Sequence, residues 1–164
     1  MAAGLALWAG IALSPLVSSL PPAVAAGSVV RRLHGELAPL ASGWTGYVES
    51  SGSGASTFAY EWSYGPVSTI DLQPRWRSLS LDLQPVTCPD GAPQRIVLAA
   101  PGGRARRVLV LGAGYHWYQV PLGWLAGAGR LALTYRCVVV PASLHDGDPD
   151  ARPLAVAIAG LAAS

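Results

Sequence analysis

Three kinds of residue in this chain have types and spacings that could do chemistry. The first is aromatic. Trp44, Tyr47, Trp62, Tyr64, Trp76, Trp117, Tyr118 and Trp124 are many for a chain of 164 residues. Indole and phenol rings stack on the C–H faces of sugars, and neighbouring carboxylates or amides then hydrogen-bond the hydroxyls. The same rings also fill cores and strand ends. Trp44, Tyr47 and Trp124 are the better candidates for a ligand platform, because each lies beside a glycine-rich turn. The second kind is acidic. Asp146, Asp148 and Asp150 stand at alternate positions, a donor set that suits calcium, although the glycine and distal glutamate of an EF-hand loop are missing. An acidic turn closed by its own hydrogen bonds explains the same pattern. The third kind is nucleophilic. Ser143, His145 and Asp146 have the side-chain types of a hydrolytic triad, but closeness in sequence does not assemble one.

Other chemistry is excluded more directly. Gly112-Ala113-Gly114 follows a strand-like run, but Tyr115-His116-Trp117-Tyr118 comes next where a dinucleotide fingerprint requires a helix. Two cysteines are too few for a four-ligand zinc site. A net charge of +2 gives no footprint for nucleic acid, and Arg104, Arg106 and Arg107 read as a solvated hairpin turn. All eleven basic residues are arginine, which reads as a composition bias and not as a functional signal.

The elements that would position these side chains are short. Alternation and turn signals predict strands at Val29 to Leu33, Trp44 to Glu49, Thr57 to Tyr64, Val67 to Leu72, Ser78 to Leu83 and Arg95 to Ala99. Arg107 to Leu111, Tyr115 to Pro121, Leu131 to Val140 and Leu154 to Leu161 follow, the alanines of the last also permitting a helix. Pro89-Asp90-Gly91 and Pro101-Gly102-Gly103 are turns with a mechanism, since proline presets φ and glycine accepts a positive one. Short strands at this spacing, with no long amphipathic helix after residue 30, predict an all-β antiparallel β-sandwich of jelly-roll type.

Residues 1–30 carry no charged side chain. The segment 1–25 reads as an apolar helix that is either a signal peptide, with Ala23-Val24-Ala25 as a small-x-small cleavage site, or a membrane anchor interrupted by Pro15, Pro21 and Pro22. Either reading places residues 29–162 outside the cytoplasm. Cys88 and Cys137 fit that compartment. Bridged, they would close a long loop and contribute about 3–4 kcal/mol; unbridged, they are two small hydrophobes.

Four segments together resemble a known domain. Gly43-Trp44 through Glu49 is an aromatic, glycine-rich start ending in an acid. Tyr60-Glu61-Trp62-Ser63 is an aromatic strand, with Glu61 where a basic residue is usual. Tyr118-Gln119-Val120-Pro121-Leu122 is a second aromatic strand. Asp150-Ala151-Arg152-Pro153-Leu154-Ala155-Val156 closes the pattern, with Ala155 in place of glycine. The chain thus resembles the extracytoplasmic, galactose-binding-like β-sandwich domain of bacterial envelope membrane proteins and glycosyltransferases. That resemblance implies a fold and a location at the cell envelope, and no transferase activity. Within the motif, Glu49, Trp62, Asp150 and Arg152 are expected to meet, because a guanidinium pairs with carboxylates and lies flat on an indole.

The expected function is therefore a non-catalytic binding or scaffolding module at the envelope. It needs no cofactor, calcium being the exception to consider. Its partner is a membrane-associated envelope protein or a glycan. A carbohydrate-binding module for a cell-surface polysaccharide is the alternative, and a small hydrolase a third reading. Aromatic rings on an open sheet face would favour the glycan; the same rings between the sheets would favour the scaffold.

Overall fold

The structure is a computed structural model that describes residues 29–32, 40–46, 49–51, 58–125, 127–143 and 147–164. Residues 1–25 lie outside the described residues. Among the described residues, no helix is long and apolar enough to cross a membrane.

Among the described residues, ten strands form two antiparallel sheets: β1 Val29–Arg32, β2 Glu49–Ser51, β3 Phe58–Tyr64, β4 Val67–Asp71, β5 Ser78–Pro85, β6 Arg95–Ala99, β7 Arg106–Val110, β8 His116–Pro121, β9 Arg130–Tyr135 and β10 Leu154–Ala163. One sheet runs β2-β3-β10-β5-β8, with β1 also paired to β10; the other runs β4-β9-β6-β7. A single core joins them. Leu79, Leu81 and Leu83 of β5 meet Ile70, Ile96, Leu131 and Leu133 of the opposite sheet, all fully buried. The two sheets therefore pack face to face as a β-sandwich. Burying each such side chain contributes about 1.5–3 kcal/mol.

Alternation explains β5 directly. Its leucines point inward, so Ser80, Asp82 and Gln84 point away from the core. β10 behaves differently, being buried almost throughout. Val156, Ile158 and Leu161 face the core, while Ala157, Gly160 and Ala162 pair across to Gln84, Asp82 and Ser80 on the outer face. A register shift between Ile158 and Gly160 lets both halves of the strand keep that division. β10 is thus a strand; the helix its alanines permit does not form, because three neighbouring strands take up its backbone hydrogen bonds.

Two predicted strands are revised. Leu131 to Val140 stops at Tyr135, and beyond it Val139 makes only an isolated bridge to Leu154. Apolar, β-branched residues favour a strand only where a partner edge exists. Trp44 to Glu49 is likewise not one strand: Trp44 forms a single bridge to Ser63, and β2 begins at Glu49.

Polar groups tie the core at one end. Gln94 is buried. Its Nε2 donates to the carbonyl of Cys137 at 2.8 Å, and its Oε1 accepts from Cys137 N at 3.1 Å. Cys88 and Cys137 form a disulfide with their Cα atoms 5.9 Å apart. It links the segment after β5 to the segment after β9, and so joins the two sheets. Arg136 pairs with Asp90 beside it.

Candidate functional site

The outer face of the six-stranded sheet carries the richest arrangement of side chains. β3 presents Tyr60 and Trp62 on this face, and β8 presents Trp117, with Tyr115 just before it. β10 and β5 lie between them. Their outward residues are small in β10 (Ala157, Gly160, Ala162) and polar in β5 (Ser80, Asp82, Gln84). The result is a row of small, buried residues covered by aromatic rings. Tyr60 stands edge-on to Trp62 at 5.9 Å, and leans across that row to within 6.4 Å of the Tyr115 ring. Strand spacing puts β3 and β8 about 14 Å apart, so both rings must reach inward to meet.

Gly160 is what lets Trp117 lie down. A Cβ there would come within 2.8 Å of the indole Cη2. Asp82, paired across to Trp117, has its carboxyl pushed up by burial, with the nearby His116 pulling it partly back. Burial, and then the negative neighbours Asp82 and Glu49 as well as Tyr60, hold the Tyr115 hydroxyl well above the ordinary phenol range. Tyr115 therefore stays a neutral hydroxyl. The Tyr60 hydroxyl is raised by burial and then by Glu49, to which it donates at 3.4 Å.

At the rim of this face sits an ion cluster. Arg152 donates from Nε to Asp150 Oδ1 at 2.8 Å, from Nη2 to Asp150 Oδ2 at 2.6 Å and from Nη1 to Glu49 Oε1 at 2.7 Å. The bidentate contact holds the Asp150 carboxyl below its usual range, and Asp150 in turn raises Arg152. The cluster ties β2 to the segment that enters β10. Trp62 joins it through Tyr60, which touches both the indole and Glu49.

The acidic triplet divides differently. Asp148 Oδ1 accepts from Asp150 N at 2.8 Å, and Asp150 commits both oxygens to Arg152. Asp146 lies outside the described residues. Among the described residues, no three His, Cys, Asp or Glu side chains are grouped to hold a metal. The Ser143 hydroxyl donates to the Val140 carbonyl at 2.6 Å; His145 lies outside the described residues.

The platform candidates sit elsewhere. Trp44 donates from Nε1 to the Thr69 carbonyl at 2.9 Å and packs on the core. It anchors the segment 40–46, which bridges to β4 at Leu40 and Ile70 and to β3 at Trp44 and Ser63. Trp124 packs half-buried on the core, with the Arg107 guanidinium 6.0 Å from its ring and its own Nε1 unpartnered. Tyr47 lies outside the described residues. Sequence reasoning passed over Tyr60, Tyr115 and Asp82. The available signal was the inward leucine alternation of β5, which fixes Asp82 as outward.

No family model matches the chain. No curated protein matches it either. Among solved structures, a mutant of a family 29 carbohydrate-binding module, studied for its mechanism of ligand recognition, is similar over 83% of this chain and 90% of that one, with 11% identity and a TM-score of 0.44. At that identity and score the likeness carries no functional argument.

Proposed function

We propose that the chain is a non-catalytic, extracytoplasmic binding module whose ligand is a carbohydrate chain laid across the outer face of the six-stranded sheet. One observation carries this reading: the rings of Tyr60, Trp62, Tyr115 and Trp117 gather on one outer sheet face, laid over the small residues of β10, with Asp82 and Gln84 beside them. Aromatic faces take sugar C–H groups, and the carboxylate and amide take hydroxyls. The carboxylates at the rim, Glu49 and Asp150, are paired to Arg152, which suits a structural part better than acid–base work. The jelly-roll, galactose-binding-like build is supported by connectivity. Without β1 and β2 the sheets read β3-β10-β5-β8 and β4-β9-β6-β7, and each connection except β6 to β7 crosses between them. A location at the bacterial envelope is supported by the charge-free segment 1–25 and by the disulfide.

A glycan array with the full chain tests the reading. Binding to a defined set of polysaccharides is expected. Trp117→Ala should abolish it in a protein that stays folded by near-ultraviolet circular dichroism, and Gly160→Ala should weaken it by displacing the indole. A folded protein that binds no glycan, or binds equally after both substitutions, would reject the carbohydrate and turn attention to an envelope protein as partner.

A further inference from the structure

At one end of the sandwich, the loop from β4 to β5 and the turn after β8 enclose a cavity of about 150 Å³. Leu72, Pro74, Trp76, Leu122 and Leu125 supply apolar and aromatic walls, and Arg77 is the charged residue among those that line it. That volume is below the several hundred cubic ångströms of a drug-sized pocket, so it suits one ring and not a chain. Among the described residues, no acidic side chain lines it. Arg130, Arg136 and Arg152 are each paired with a carboxylate. Among the described residues Arg77 has no ion-pair partner, nor have Arg75, Arg95, Arg104, Arg106 and Arg107, and of these Arg77 is the one that lines the cavity.

The cavity also lies where the outer face ends. Arg77 N donates to the Ser164 carbonyl at 2.5 Å and its own carbonyl accepts from Leu122 N at 2.8 Å, so the backbone of Arg77 is held between the ends of β10, β5 and β8 while the residue itself is exposed. The outward row Gln84, Asp82, Ser80, Ser78 runs along β5 toward it, and Trp117, Gln119, Pro121 run beside it on β8. From Asp82 to Arg77 is about 17 Å of strand.

We propose that this end cavity is a second subsite that takes a sugar bearing a carboxylate, of uronic acid type, with Arg77 reading the charge as a planar fork. The proposal rests on the carbohydrate reading of the outer face, whose chain it would terminate. It makes the module selective for acidic chain ends.

Backbone and indole NMR shifts of the full chain, titrated with glucuronate, glucose and inorganic phosphate, test the cavity alone. Glucuronate should move the Trp76 indole and the backbone of Leu122 to Leu125, and glucose should not match it. Arg77→Gln should weaken glucuronate on the order of tenfold, the loss of a charge-assisted contact, with Arg77→Lys recovering part. Shifts that map elsewhere, persist in Arg77→Gln, or are reproduced by phosphate would overturn the subsite. Neutral and uronate-terminated oligosaccharides separate the two readings. Neutral chains that bind through Trp117, with glucuronate silent at the cavity, remove the subsite and keep the face. Glucuronate bound through Arg77, with no oligosaccharide bound, removes the face and keeps the cavity.

Discussion

At the scale of single residues, Arg152 shows how a motif acts. Its guanidinium holds Asp150, on its own segment before β10, with two bonds, and Glu49 of β2 with one. The side chains of Arg152 and Glu49 are 26% exposed, so the pair is worth less than a fully buried one. Arg152→Ala should lower stability by about 1–3 kcal/mol, short of the 3–5 of a buried pair. Lysine should not restore it, since a point charge cannot make the bidentate contact. The Asp150 carboxyl is held down by Arg152, so its contribution is present above the ordinary Asp value of 3.8 and lost as pH falls through the lower folded value. Urea melts of wild type and Arg152→Ala across acid pH check both points: the difference between them should shrink as the solution is acidified, and a constant difference would remove the ion pair from the account. The meeting of Glu49, Asp150 and Arg152 followed from residue types. The meeting of Tyr60 with Tyr115 did not, because it depends on which face of two distant strands each ring occupies.

At the scale of elements, the segment 40–46, whose end at Trp44 to Gly46 the sequence suggested as the start of a strand, is held to the sandwich by isolated contacts. Gly43 presses so closely on β4 that a Cβ would come within 2.1 Å of the Val67 carbonyl, and its φ of 74° suits glycine. Glu61 completes the attachment. It is 1% exposed, and its Oε1 accepts the Gly46 N–H at 2.7 Å while Oε2 has no partner. Burial pushes its carboxyl up, against the smaller opposing pull of the Gly46 bond. A raised acid binds its proton more tightly when folded, so its contribution is complete below the ordinary value of 4.5 and is lost as pH rises through the folded one. Glu61→Gln keeps the acceptor for Gly46 and removes the titration. The variant should match wild type in strong acid and melt at a higher temperature at neutral pH. Equal melting temperatures at neutral pH would show that the buried carboxylate carries no penalty. Glu61 was visible in the sequence as an acid in an aromatic strand. That it points inward was not, because β3 reads as aromatic on one face and is small or polar on the other.

At the scale of the whole molecule, two antiparallel sheets were legible because turns punctuate strands whose inward residues are apolar, β5 most plainly. The assignment of strands to sheets was not. Every pairing of β10 is with a strand distant in sequence, and the outer-face cluster exists only once those pairings are made. The disulfide works at the same scale. It closes a loop of separation 49 and joins the exit of β5 in one sheet to the exit of β9 in the other. Limiting the unfolded chain by a loop of that size stabilises the fold by about 4 kcal/mol in the chain-entropy account. The replacement of both Cys88 and Cys137 by alanine should therefore lower the urea midpoint strongly. The side-chain amide of Gln94 still donates to the main-chain carbonyls of position 137 and Ala155 in the variant, so the sheets should keep their pairing and the outer face its shape. Glycan binding should then persist in the folded fraction with unchanged affinity. If affinity falls while near-ultraviolet circular dichroism stays native, the bridge sets the geometry of the binding face and does more than restrict the unfolded chain.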